Sequence, residues 1–176
     1  MRNCGGGLKT LFDGFNGSIT DPVQVMLQIA HTCVGIVDQP TIDLFRATIQ
    51  INPSGEAWCA DFMQSLIAYA ELRFQMQSPV FATESTHFLW ENSQCRVIGE
   101  PRPGDIIVWA MGDTGLGHCG MLVSSDSIVW NTIEGNTTPY GQAGEIQRQG
   151  NGVWAKKRAK GGTQTFKELG FLRVFP

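Results

Sequence analysis

Few side chains in this chain can do nucleophilic or acid–base chemistry: five cysteines (Cys4, Cys33, Cys59, Cys95, Cys119), three histidines (His31, His87, His118) and scattered carboxylates. A thiol becomes a useful nucleophile when its pKa is depressed and a base stands beside it. Cys59 has a source for the first condition. It falls in the first turn of an apolar pattern at helical spacing, Trp58, Phe62, Leu66 and Tyr69 with Met63 and Ala70 alongside. There the unpaired amides and positive end of the helix dipole favour a thiolate. A cysteine in an amphipathic helix is more often a small buried hydrophobe, so Cys59 needs a base from elsewhere to count.

The segment Gly115–Thr137 supplies one. It reads as two strands joined at Ser125-Asp126-Ser127, and a three-residue loop centred on Asp126 sets His118 directly across from Glu134. Asn136, two residues on, shares that face by strand alternation. A carboxylate and an amide beside an imidazole fix its tautomer and stabilise the imidazolium, as a catalytic histidine requires. A two-residue loop would put Glu134 on the opposite face, so the inference rests on loop length. Taken singly, His118 reads as a half-buried strand histidine and Glu134 as a solvent-facing carboxylate. Gly115, Gly117 and Gly120 crowd His118 and allow close approach of backbone or substrate, which favours the functional reading. His31 and His87 lie in helical patterns without such company and read as structural or surface residues.

The elements that must position these groups follow from periodicity. Gly5–Ser18 is glycine-rich and weakly patterned, and residues 1–20 read as an irregular lead-in. Asp21-Pro22 has a cap-plus-proline signature and opens a helix running toward Gly35. Further helices are predicted over Thr41–Ile49, ended by Asn52-Pro53-Ser54-Gly55, over Ala57–Arg73, and over Thr83–Trp90. After Pro101-Arg102-Pro103-Gly104 the period changes, with strands predicted at Asp105–Trp109, His118–Ser124, Ser127–Asn136, Gly152–Arg158 and Gly170–Phe175. Helices first and strands second imply α+β with an antiparallel sheet, one domain over 21–176.

Composition narrows the function classes. At 176 residues the prior is one domain, and 42% hydrophobic against 16% charged residues can bury a core. No stretch approaches the roughly 18 apolar residues of a membrane span, so no membrane insertion is expected. An apolar signal core is missing near the N-terminus, which predicts synthesis in the cytoplasm without a secretory signal. An odd cysteine count without CxxC spacing suggests free thiols rather than a disulfide framework or zinc knuckle. Net charge of −3 disfavours a nucleic-acid binder, although residues 145–176 carry seven basic against two acidic side chains, +5, leaving −8 elsewhere. That basic end reads either as a surface facing an anionic polymer or as a strand edge defended by lysines. Gly5–Thr10 is no phosphate loop, and neither GxSxG nor HExxH occurs.

The chain resembles the CHAP amidases and endopeptidases, relatives of the NlpC/P60 peptidoglycan hydrolases within the papain-like cysteine peptidases. Five motifs in order carry the resemblance: Glu56–Phe62, Pro103–Val108, Gly117–Gly120, Thr132–Asn136 and Gly170–Val174. It implies a papain-like fold, Cys59 as nucleophile, His118 as general base and acid, and Glu134 and Asn136 as the groups orienting the imidazole. The implied substrate is peptidoglycan, cut at the sugar-to-peptide amide or within stem or cross-bridge peptides. Cys119 stands where the family commonly has an aliphatic residue. Only Glu56 lies where some members carry calcium ligands, so no calcium, other metal or cofactor is expected.

The leading expectation is a monomeric cell-wall hydrolase working through a thioester, released as a phage lysin, carried on a virion or injected as an effector with a delivery partner. The alternatives are a non-catalytic wall-binding or structural module of the same fold, and a thiol peptidase toxin acting on protein. The intact Cys59, His118, Glu134 and Asn136 set argues against the first, which has no need of it.

Overall fold

A computed structural model describes residues 2–14, 18–49, 57–139 and 150–176. The chain is α+β, helices first and strands second. Among the described residues the helices are α1 (Gly6–Asp13), α2 (Pro22–Cys33), α3 (Gln39–Arg46), α4 (Cys59–Phe74) and α5 (Thr86–Asn92). The strands are β1 (Ile106–Ala110), β2 (Gly117–Ser125), β3 (Val129–Thr137), β4 (Gly152–Ala159) and β5 (Lys167–Leu172). They form one antiparallel sheet in the order β4-β3-β2-β1-β5. No helix among the described residues is long and apolar enough to cross a membrane.

Helix α4 is the axis of the packing. Every residue from Cys59 to Ala70 is buried, because α1, α2 and α3 cover one side of the helix and β2 and β3 the other. The sheet face toward α4 buries Ile106, Val108, Cys119, Met121 and Ile133 in the main core. The far face buries a smaller cluster around Trp109, Leu122, Trp130, Phe166 and Phe171. Asp21 caps α2 as its sequence signature predicts, accepting from the Val23 and Gln24 amides at 2.7 and 3.0 Å. Buried Asp105 accepts from the Arg102 amide at 2.9 Å and from Arg173 at 3.2 and 2.9 Å. It thereby ties the Pro103-Gly104 turn to the closing strand.

The lead-in expectation is corrected. Residues 6–13 are helical, since Leu8, Leu11 and Phe12 form an apolar stripe at the spacing of a helix that outweighs the flanking glycines. Phe12 is fully buried against Phe45, with ring centroids 6.3 Å apart, and edge-on to Tyr69 at 5.5 Å. Arg2 bonds Gln64 and Glu71 on α4 and the Val80 carbonyl. The N-terminal segment therefore belongs to the same core. The Asn52-Pro53-Ser54-Gly55 stop, Glu56, Glu145 and Arg148 lie outside the described residues.

Candidate active site

Cys59 is the first residue of α4, and no side chain caps that end of the helix, so the first-turn amides and the dipole remain available to its sulfur. The helix end lies flush on β3 at Gly135. A methyl there would come within 2.7 Å of Phe62 Cβ and 2.8 Å of Trp58 Cζ3. Only glycine permits this approach, which brings the nucleophile down to the sheet.

His118 is the second residue of β2, at the rim of the sheet, stacked on Trp109 with centroids 5.9 Å apart. The register that joins it to Glu134 differs from the one expected. The turn is longer: Ser125 pairs with Trp130 around four residues, held by Asp126 accepting from the Ile128 and Val129 amides at 2.8 and 2.9 Å. Left alone, this register would carry Glu134 to the face of Cys119 and Met121. A bulge at Val123 restores the parity, so that Leu122 pairs with Thr132 and Met121 with Ile133. Continued by one residue, the ladder sets Glu134 beside Gly120 rather than opposite His118. The carboxylate crosses over Gly120, whose Cβ would lie 2.6 Å from Glu134 Cγ, and meets His118 Nε2 at 2.8 Å.

Both partners are fully buried. Burial opposes the ionised carboxylate, but the Arg158 guanidinium and the His118 imidazolium hold Glu134 far below the usual carboxylate range. Burial likewise opposes the imidazolium, and the Cys59 thiolate and Glu134 overcome it, pushing His118 up to about 9. Nδ1, buried and without a hydrogen-bond partner among the described residues, is the ring nitrogen left for the thiol. A hydrogen bond from Cys119 is the largest influence holding the Cys59 thiol well below its ordinary value, with the charge of His118 adding to it against the cost of burial. Both shifts favour a Cys59 thiolate beside a His118 imidazolium.

Asn136 sits buried at the same end of β3, yet it makes no hydrogen bond to His118. A bulge between Glu134 and Thr137 and a left-handed φ of 57° at Asn136 interrupt the strand alternation there. Its backbone carbonyl accepts the Gly150 amide at 3.0 Å. Strand alternation does place Cys119 on the face away from His118, but that face is where Cys59 lies. Its thiol, pushed well above the ordinary value by the Cys59 sulfur and by burial, stays protonated as a donor. His31 and His87 are exposed, the latter paired with Glu91 at 3.1 Å.

Sequence reasoning missed Arg158, grouped there with a solvated basic end. β4 is indeed an edge strand, yet Lys156 is buried with its Nζ on the Thr138 carbonyl at 3.0 Å, and Lys160 lies 3.9 Å over the Trp130 ring. Arg158 reaches Glu134, as does Thr132, whose hydroxyl donates to Oε1 at 2.6 Å. The signal available was the alternation of β4, where Arg158 shares the parity of buried Lys156.

A pocket of about 160 Å³ opens onto Cys59, walled by Glu84, Ser85, Thr86, Gly115 and Leu116. Gly115 and Leu116 also wall a neighbouring pocket of about 470 Å³, lined by Trp90, Asp113 and Lys167. No group of His, Cys, Asp and Glu among the described residues could hold a metal ion. Comparison with protein-family models, with curated proteins and with solved structures gives no match to the chain.

Proposed function

We propose that the protein is a thiol hydrolase of papain-like fold that cleaves an amide of bacterial peptidoglycan, in the manner of the CHAP and NlpC/P60 enzymes it resembles. The observation that carries this reading is the fully buried His118–Glu134 pair, bonded at 2.8 Å, with Cys59 at an uncapped helix N-terminus docked on the same sheet. The Cys59 thiolate attacks the amide carbonyl, and the helix-terminal amides receive the developing oxyanion. The His118 imidazolium gives its proton to the departing amine as the C–N bond breaks. Neutral His118 then takes a proton from water, whose oxygen attacks the thioester and releases acid and thiolate. The wall as substrate is supported by the five motifs in series and by their order along the chain.

Digestion of purified peptidoglycan followed by mass spectrometry of the fragments tests activity and identifies the bond. Wild type should release muropeptides with new amino termini or free stem peptides, and Cys59→Ala should release none. Intact wall with wild type, alongside cleavage of a protein substrate, would replace this reading with that of a peptidase acting on protein. Intact wall and intact protein would favour the non-catalytic module.

A further inference from the structure

We propose that Arg158 is the fourth member of the site, a positioning residue that holds Glu134 ionised and aimed at His118. Its fork is two-pointed: Nε donates to Glu134 Oε1 at 2.9 Å and Nη2 donates to Oε2, the oxygen that also takes His118 Nε2. With Thr132 on Oε1, the carboxylate has bonds from three side chains and is itself fully buried. The guanidinium is fixed in turn. It lies 5.6 Å from the Trp109 ring centroid and 5.7 Å from that of Phe166, the two rings that also flank His118 at 5.9 Å each. One aromatic pair thus sets both the base and the residue that anchors its orienting carboxylate.

The charges explain why a cation is needed there. Glu134 is faced by His118 and Cys119 from β2 and by Arg158 from β4, and His118 is faced in turn by Cys59 from α4. Thiolate, imidazolium, carboxylate and guanidinium alternate in sign along this line, and buried Asp61 of α4 adds a further carboxylate that acts on Cys119. Without the guanidinium, two buried anions would share one imidazolium, and Glu134 would take up a proton more readily. A protonated Glu134 no longer accepts from Nε2–H, and the ring loses the bond that sets its tautomer.

This inference deepens the proposed function and rests on it for the reaction, but its first test uses no substrate. Carboxyl ¹³C titration by NMR, with Glu134 assigned through Glu134→Gln, should show Glu134 ionised throughout the accessible acid range in wild type. In Arg158→Gln its proton affinity should rise about 10- to 1000-fold, into the ordinary carboxylate range. The acid limb of the pH–rate profile for wall hydrolysis should move up with it. Arg158→Lys, which keeps the charge but not the fork, should return most of both. A merely structural role would lower the folded fraction and leave the titration in place. Unchanged titration and acid limb in Arg158→Gln would overturn the proposal. Should that variant not fold, a wild-type Glu134 titrating in the ordinary range would overturn it equally. Wall left intact by wild type would defeat the proposed function and leave the carboxyl titration to decide the role of Arg158.

Discussion

Gly120→Ala is the perturbation whose consequence the structure fixes most tightly. The added Cβ would stand 2.6 Å from Glu134 Cγ and 3.3 Å from the Ile133 carbonyl oxygen. Carbon atoms rest at roughly 3.5–4.0 Å, so the overlap is about 1 Å. Glu134 cannot yield freely, being held by His118, Thr132 and Arg158, and β3 behind it is paired on both sides. Overpacking of this kind costs about 1–3 kcal/mol, which in a domain of this size lowers the melting temperature by roughly 2–4 °C per kcal/mol, or about 2–12 °C. The displaced carboxylate also leaves His118 without its orienting bond, so turnover should fall by about 10- to 10⁴-fold. Gly6→Ala is the control, since nothing lies within 4 Å of its added carbon and the site is helical. That change should be neutral or slightly stabilising. The assays are thermal unfolding and the rate of wall-fragment hydrolysis. A Gly120→Ala protein with the melting temperature and turnover of wild type would refute the diagonal carboxylate contact on which the site is built.

Other outcomes follow from the same geometry. Limiting iodoacetamide at mildly acidic pH should label Cys59 before the other thiols, because burial raises Cys33 to about 12 and also raises Cys4 and Cys95, as peptide mapping would reveal. Cys119→Ala removes a hydrogen bond to an anion, worth about 1.5–3 kcal/mol, and should move the midpoint of Cys59 alkylation upward in pH; an unmoved midpoint would remove Cys119 from the site. His118 is raised, so its imidazolium is intact below about 9 and lost as pH climbs through that value, and kcat/KM should decline there; activity still rising at pH 10 would contradict the ion pair. Glu134→Gln should lose less turnover than His118→Ala, and Asn136→Ala less again, since no bond joins Asn136 to the ring.

The helices and strands were legible because their periods are strong, and Cys59, His118 and Glu134 because each sits at a readable place: a helix start, a strand start and the facing strand. The route from His118 to Glu134 was not legible. A three-residue loop predicts the correct face, while the real turn is one residue longer and a bulge at Val123 cancels the difference. Bulges leave little trace in sequence, since the extra residue is an ordinary valine. Alternation alone does not place Asn136, because β3 bends between Glu134 and Thr137. Helix α1 was hidden by its glycines, whose low propensity is overridden once Leu8 and Phe12 reach the core. Arg158 was hidden by composition, because a cation in a run of lysines looks like solvent-facing charge until the cross-strand partner is known.

A buried carboxylate is a poor means of orienting a histidine unless its charge is answered, because desolvation raises its pKa and returns it to the neutral form. Here the Arg158 guanidinium on β4 answers Glu134 directly. Cys59, His118, Glu134 and Arg158 come from α4, β2, β3 and β4, so the four groups meet only when all four elements are docked. The sequence order of these elements puts the guanidinium last. The chain up to Thr137 holds the nucleophile, the base and the carboxylate, and pairing of β4 against β3 brings the Arg158 cation to Glu134. Docking of the edge strand therefore widens the pH range over which Glu134 is ionised. Anything that frays β4 should cost Cys59 its reactivity before it costs the helical core its structure.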